Sequence, residues 1–340
     1  MDFIRMHIGG QSVQGRPIPI LDWGHGPSRV MMWSQMHGNE ATTTKALLDL
    51  INELGKGGAR ASALEASVTL RIIPQLNPDG AQAYTRVNAN GIDLNRDAKE
   101  KTQPESRILR EQYEGFAPHF CFNLHDQRTI YNVGETATPA TLSFLAPSMD
   151  AGRSVPPQRQ EAMQLIAAMA ADLKPALPGG IGRYDDGFNP NCVGDQFQMA
   201  GTPTLLFEAG HYPGDYQREE TRYYVYAALV SALYHISQGT HRKVPLESYA
   251  AIPENGKLMV DLLVKHAEAC NPALARGTSL AIQYREALQA GRIAFIPEWP
   301  EEGLTLARFA HETLDAATPQ GRKALNSRSG LLSLIQGVQP

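Results

Sequence analysis

Five short apolar runs, at residues 30–36, 68–76, 120–124, 142–146 and 204–207, are separated by longer stretches with helical spacing. This alternation constrains the fold more than any other feature of the chain. Short, continuously apolar runs suit strands buried on both faces. Between them, residues 39–54 place Ala46, Leu47, Leu50, Ile51 and Leu54 on one side of a helix that stops at Gly55. Residues 158–173 end before Pro175, and residues 221–237 close at Gly239, both ordinary helix stops. The pattern predicts an α/β fold: a three-layer sandwich whose central, mostly parallel or mixed twisted sheet carries helices on both faces. From His241 the character changes, with Pro245, Pro253, a helix-like stretch at 258–266 and a strand-like run at 293–296 before Pro297. The expected organisation is a catalytic domain over residues 1–240 and a small C-terminal α+β appendage over 241–340.

Composition removes several function classes. Lys+Arg 31 against Asp+Glu 35 leaves a net charge of −4, too balanced to attract nucleic acid. Apolar stretches such as 165–171 fall far short of the ~20 residues that span a bilayer, so no membrane partner is expected. The opening Met1-Asp2-Phe3-Ile4-Arg5-Met6-His7 breaks the continuous apolar region of a signal peptide, which points to a cytoplasmic location. Cys121, Cys192 and Cys270 are odd in number and widely spaced, which argues against a disulfide framework and a thiolate zinc site alike. A metal would have to use histidines and carboxylates.

In open α/β sheets ligands bind beyond the carboxyl ends of the strands. The residues just past the apolar runs form a set: His37-Gly38-Asn39-Glu40 after the first, His125-Asp126 after the third, and Glu208-Ala209-Gly210-His211 after the last. A His and a Glu three apart at a strand-to-helix junction can both turn towards one point, although the pair alone is a weak signal and could instead cap the following helix. Catalytic zinc takes three protein ligands and keeps a position for water, and two His with one Glu is a known set. His37, Glu40 and His125 supply it for one Zn2+ ion. His119 shares a strand face with His125 but sits at the wrong end. Asp126 could orient a neighbouring group or be a plain surface aspartate.

The loop Arg86-Val87-Asn88-Ala89-Asn90-Gly91-Ile92-Asp93-Leu94-Asn95-Arg96 collects fixed donors suited to an anion. Guanidinium groups bind carboxylates bidentately and keep their charge, so Arg96 with Asn95 could hold a substrate carboxylate while Arg86 faces a developing oxyanion. A polar surface loop with an arginine salt bridge is the plainer alternative.

Taken together, His37-Gly38-Asn39-Glu40, Asn77-Pro78-Asp79-Gly80, Arg86 with Gly91-Ile92-Asp93-Leu94-Asn95-Arg96, Asn123-Leu124-His125 and Leu206-Phe207-Glu208 resemble the zinc carboxypeptidase family in order and spacing. The likeness runs from about residue 8 to 239. It implies that His37, Glu40 and His125 bind zinc, that Glu208 is the general base, that Arg86 polarises the scissile carbonyl, and that Asn95 and Arg96 grip the terminal carboxylate. It also implies a mobile tyrosine, for which Tyr184 is the nearest candidate, with departing spacing; packing in a loop is its other reading.

The expected activity is therefore hydrolysis of a peptide bond next to a free C-terminal carboxylate, by water activated at a metal. Two alternatives stay open: a related zinc amidohydrolase acting on N-acyl amino acids or murein peptides, and a binding module without catalysis. Asp185, Asp186 and Asp195 could favour a basic terminal side chain or be solvated turn residues. The sequence does not decide the oligomeric state.

Overall fold

The computed structural model describes residues 4–300, 309–328 and 330–338. The chain divides into two compact units, residues 1–127 with 140–255, and residues 128–139 with 256–340. In chain order the strands up to residue 209 are β1 (Ile4–Gln11), β2 (Pro17–Gly24), β3 (Ser28–Ser34), β4 (Val68–Ile73), β5 (Phe120–Asp126), β6 (Asn132–Val133), β7 (Leu142–Leu145), β8 (Ile181–Arg183) and β9 (Thr204–Ala209). The main helices of the first unit are α1 (Thr42–Lys56), α2 (Ala59–Ser67), α3 (Pro78–Ala83), α4 (Pro104–Phe116), α5 (Pro157–Leu173), α6 (Val193–Met199) and α7 (Glu219–Gln238). Among the described residues, eight strands form one mixed sheet in the order β1-β2-β4-β3-β5-β9-β7-β8. Its middle, β4-β3-β5-β9, is parallel, whereas β1 and β2 add antiparallel at one edge and β7 runs antiparallel to β9.

Strand side chains alternate between faces, and the two faces build separate cores. Val30, Met32, Phe122, Leu124, Leu205 and Phe207 pack with residues of α1, α5 and α7. Met31, Trp33, Ile73 and Cys121 pack on the other side with Ile108, Leu109 and Tyr113 of α4 and Val193 and Phe197 of α6. Each such side chain, fully buried, contributes roughly 1.5–3 kcal/mol relative to exposure. The same parity sets the site: His125 and Glu208 share the α4–α6 face with Cys121, whereas Asp126 belongs to the face covered by α1 and α7.

Residues 241–255, grouped by sequence with the appendage, join the first unit. Tyr249 and Ile252 belong to its core, and the Tyr249 hydroxyl accepts a bond from the Ala146 amide at 3.1 Å. Pro245 and Pro253 thus mark a change of element and not a change of core. In the second unit, Met259–Lys265 is a strand and not the helix expected at 258–266. The run Met259-Val260-Asp261-Leu262 is buried at every position, so it carries no period by which a helix and a doubly covered strand could be told apart. That strand lies between Leu280–Gln289, antiparallel, and Phe309–Asp315, parallel, with Arg292–Glu298 beyond the former. Leu262, Val264, Ile282, Leu325, Leu331 and Ile335 form its core. Among the described residues no helix is long and apolar enough to cross a membrane.

Candidate functional site

The approach to His37 is built by backbone packing. After β3, Gln35 adopts a left-handed conformation with φ 52°, and its side-chain amide donates to the Gly38 carbonyl at 2.8 Å. Asn77 then holds this turn from the other side. Its side chain donates to the Met36 carbonyl at 3.1 Å and accepts from the Gly80 amide at 2.8 Å, capping α3. Gly38 lies so close to Gly80 that a Cβ would meet the Gly80 carbonyl carbon at 2.0 Å, so only glycine fits. Asp79 accepts from the Ser12 hydroxyl, the Gln14 amide and Arg16, tying the β1–β2 hairpin to α3. The Asn77-Pro78-Asp79-Gly80 segment is thus a brace for the segment that carries His37.

His37, Glu40 and His125 come together, all buried, with one candidate ligand atom from each within 4.8 Å of the others. His37 Nδ1 lies 2.8 Å from Glu40 Oε1, His125 Nδ1 lies 2.9 Å from Glu40 Oε2, and the two Nδ1 atoms are 3.1 Å apart. Ligands at about 2.0–2.1 Å from a tetrahedral zinc ion stand about 3.3 Å from one another, so this donor set has the size and the chemistry for that ion. His37 Nε2 is bonded to Asp93 Oδ1 at 3.0 Å, which fixes the ring with Nδ1 turned inward. Burial lowers the His37 pKa, but the Glu40 charge and the bonds from Asp93 and Glu40 outweigh it, leaving the pKa above the usual histidine value. Burial raises the Glu40 pKa, and the two imidazoles more than reverse that, holding it well below the carboxylate range. Burial lowers the His125 pKa despite the Glu40 bond.

Glu208 is half-buried on β9, directly in register with His125 on parallel β5, so the two stand side by side on one face. Arg86, half-exposed, reaches inward with Nη1 3.4 Å from Glu40 Oε1 and Nε 3.1 Å from Asp93 Oδ2. Asp93 therefore holds His37 and Arg86 at once, and these partners keep its carboxyl well below its ordinary range against the effect of burial. Asn95 and Arg96 follow on the 3-10 turn Leu94–Arg96, whose first residue is capped by Asp93 accepting from the Asn95 amide at 2.9 Å. Asn95 Oδ1 accepts from the Val193 amide at 3.0 Å, and exposed Arg96 lies 3.1 Å from Cys192 Sγ, so both sit at the start of α6. Tyr184 follows β8, two strands over from β9, and its amide donates to the Phe144 carbonyl at 2.9 Å. His119 lies at the far end of β5 and accepts from the Arg29 amide at 3.2 Å.

Sequence reasoning assigned no role to Asp93 or Arg218 and left Asp126 open. For Asp93 a signal exists: an aspartate side chain commonly accepts from the backbone amide two residues on, the local cap seen here with Asn95. Of the three acidic candidates for a basic pocket, Asp186 is paired at 2.7 Å with both Arg153 and Arg159, and Asp185 is exposed. Asp195 is buried, accepts from the Asn189 amide at 3.1 Å, and burial lifts its pKa from 3.8 to about 6. Its protonated form is favoured by folding, so this contribution to stability is full below pH 3.8 and is lost as pH rises through about 6. Asp195→Asn is expected to remove that loss and stabilise the chain at pH 7 by on the order of 2 kcal/mol, with little gain at pH 4. Urea unfolding at the two pH values measures it; an equal gain at both would point away from the buried charge.

The sequence model described as "Zinc carboxypeptidase" matches residues 1–174. Probable carboxypeptidase 2 of Arthroderma benhamiae is 28% identical over 111 residues, covering 33% of this chain and 20% of that protein. Carboxypeptidase SOL1 of Arabidopsis thaliana is 32% identical over 109 residues, 29% of this chain and 22% of that protein. The matched part thus spans about a fifth of the length of these relatives. A solved metallo-carboxypeptidase from Burkholderia cenocepacia superposes with a TM-score of 0.56 at 19% identity, covering 71% of this chain and 66% of that one. Carboxypeptidase A from Helicoverpa armigera gives 0.56 at 17% identity, covering 70% and 69%. The chain belongs to the zinc carboxypeptidase family, and its fold is that of hydrolase-type metallopeptidases. The matched residues take in His37, Glu40, Arg86, Asn95, Arg96 and His125 and end before Tyr184 and Glu208.

Proposed function

We propose that this protein is a zinc-dependent carboxypeptidase that hydrolyses a peptide bond next to a free C-terminal carboxylate. The observation that carries the reading is the buried His37–Glu40–His125 cluster with Glu208 in register beside it. Zinc held by those three side chains would supply a Lewis acid that makes water nucleophilic near neutral pH. Glu208, one strand away from His125, is the proposed base that takes the proton of the attacking water and returns it to the leaving amine. Arg86, already turned towards Glu40 and Asp93, offers a guanidinium to the oxygen that becomes negative in the transition state. Asn95 and Arg96 are the proposed grip on the substrate's terminal carboxylate, which turns remote binding into orientation at the reacting carbon. Tyr184 is the proposed mobile side chain that completes the substrate site.

Blocked dipeptides with a free terminal carboxylate are expected to be cleaved, and their C-terminal amides are not, because the guanidinium grip needs the anion. Treatment with a chelator is expected to abolish turnover, and added zinc to restore it. Faster turnover of N-acyl amino acids or murein peptides would shift the reading to the amidohydrolase alternative, and turnover indifferent to chelation would remove the metal.

A further inference from the structure

Helix α1 follows Glu40 by two residues, and its N-cap, Ala41, has no side chain that can bond the free amides of the first turn. Asp126 does so from a different strand. Its Oδ2 accepts from the Thr42 amide at 2.9 Å and its Oδ1 from the Thr43 amide at 3.2 Å, where the helix dipole also favours an anion. Its own amide donates to Glu40 Oε2 at 3.1 Å, and it directly follows His125 in the chain. Buried Arg218 places Nη1 3.4 Å from the same Asp126 Oδ2. Arg218 closes the segment that leaves β9 after Glu208, where it takes a left-handed conformation with φ 60° at the N-cap position of α7. The segments carrying Glu40, His125 and Glu208 therefore meet at one buried carboxylate.

We infer that Asp126, held by Arg218, is a positioning residue that sets the separation of Glu40 and His125 and so the affinity of the site for zinc. This rests on the metal centre proposed above. A constellation of ligands keeps its geometry only while its supports hold it to within about 0.5 Å, and Asp126 supports Glu40 twice, through the start of α1 and through its own amide. Arg218, through its contact with Asp126 Oδ2, holds the carboxylate against the start of α1, so its effect reaches the metal through Asp126.

The test is zinc affinity of the folded, metal-free chain, by competition with a chromophoric chelator, at a temperature well below unfolding of each variant. A support that only stabilised the fold would leave this affinity unchanged. Asp126→Asn keeps the side-chain shape and removes the charge; Arg218→Met removes its partner without touching Asp126. Each is expected to raise the zinc dissociation constant about 10–100-fold, with Arg218→Lys falling between Arg218→Met and the natural chain. An affinity unchanged in both Asp126→Asn and Arg218→Met overturns the inference, and a loss in Asp126→Asn alone overturns the part of Arg218. A natural chain that binds no zinc overturns the metal centre itself, a result distinguishable from either.

Discussion

Glu208→Gln is expected to bind zinc as the natural chain does and to hydrolyse its substrate about 10²–10⁴ times more slowly, the range that general acid–base catalysis by one positioned side chain contributes. The substitution keeps the volume of the side chain and its place beside His125 on the sheet. It removes the one property the proposed step needs, a carboxylate able to accept a proton and give it back. Zinc retention is expected because Glu208 is outside the cluster of close donors formed by His37, Glu40 and His125. Metal content and kcat on a blocked dipeptide are the two measurements. Near-natural kcat with zinc in place would take the base role away from Glu208; loss of zinc together with kcat would make it a ligand or a support.

How far the sequence reveals this protein depends on whether the relevant contacts are local. β3, β5 and β9 show as apolar runs because both faces of the sheet are covered there, and the polar residues at their ends can be read as a site from that fact alone. β1 and β2 do not show. β1 is mostly exposed and β2 begins with Pro17 and contains Pro19, so neither presents an apolar run, and both are held by antiparallel pairing and by Asp79 from α3. The start of α1 is another case. Local signals place it at Asn39, where His37 and Glu40 could be caps, but the helix begins at Thr42 and its cap is Asp126, which no local pattern reveals. That remote cap means Glu40 is not needed to cap α1, and its two oxygens reach the imidazoles of His37 and His125. The motif around Asn77 is legible as a pattern, while its work as a brace under Gly38 depends on a backbone contact that only the folded chain contains.

Glu40→Gln is expected to separate the metal from the fold most sharply. The amide retains the volume of the side chain and an oxygen that can still accept from the Asp126 backbone. In the zinc-free chain the change exchanges charge-assisted bonds to His37 and His125 for neutral ones and costs about 1.5–3 kcal/mol. The effect on zinc comes in addition, because the variant gives up the proposed site's negative ligand and offers a neutral amide in its place. Its affinity is expected to fall more than 100-fold, beyond the 10–100-fold typical of residues that only orient a ligand. This also shows in stability. At free zinc 1,000 times the dissociation constant the natural chain gains about 4 kcal/mol, since the ion binds only the folded state, and at that same concentration a 100-fold weaker variant gains about 1.4 kcal/mol. Denaturant unfolding of both proteins with and without zinc measures the two contributions separately. A variant stabilised by zinc as strongly as the natural chain would mean that Glu40 serves the packing of His37 and His125 and not the metal.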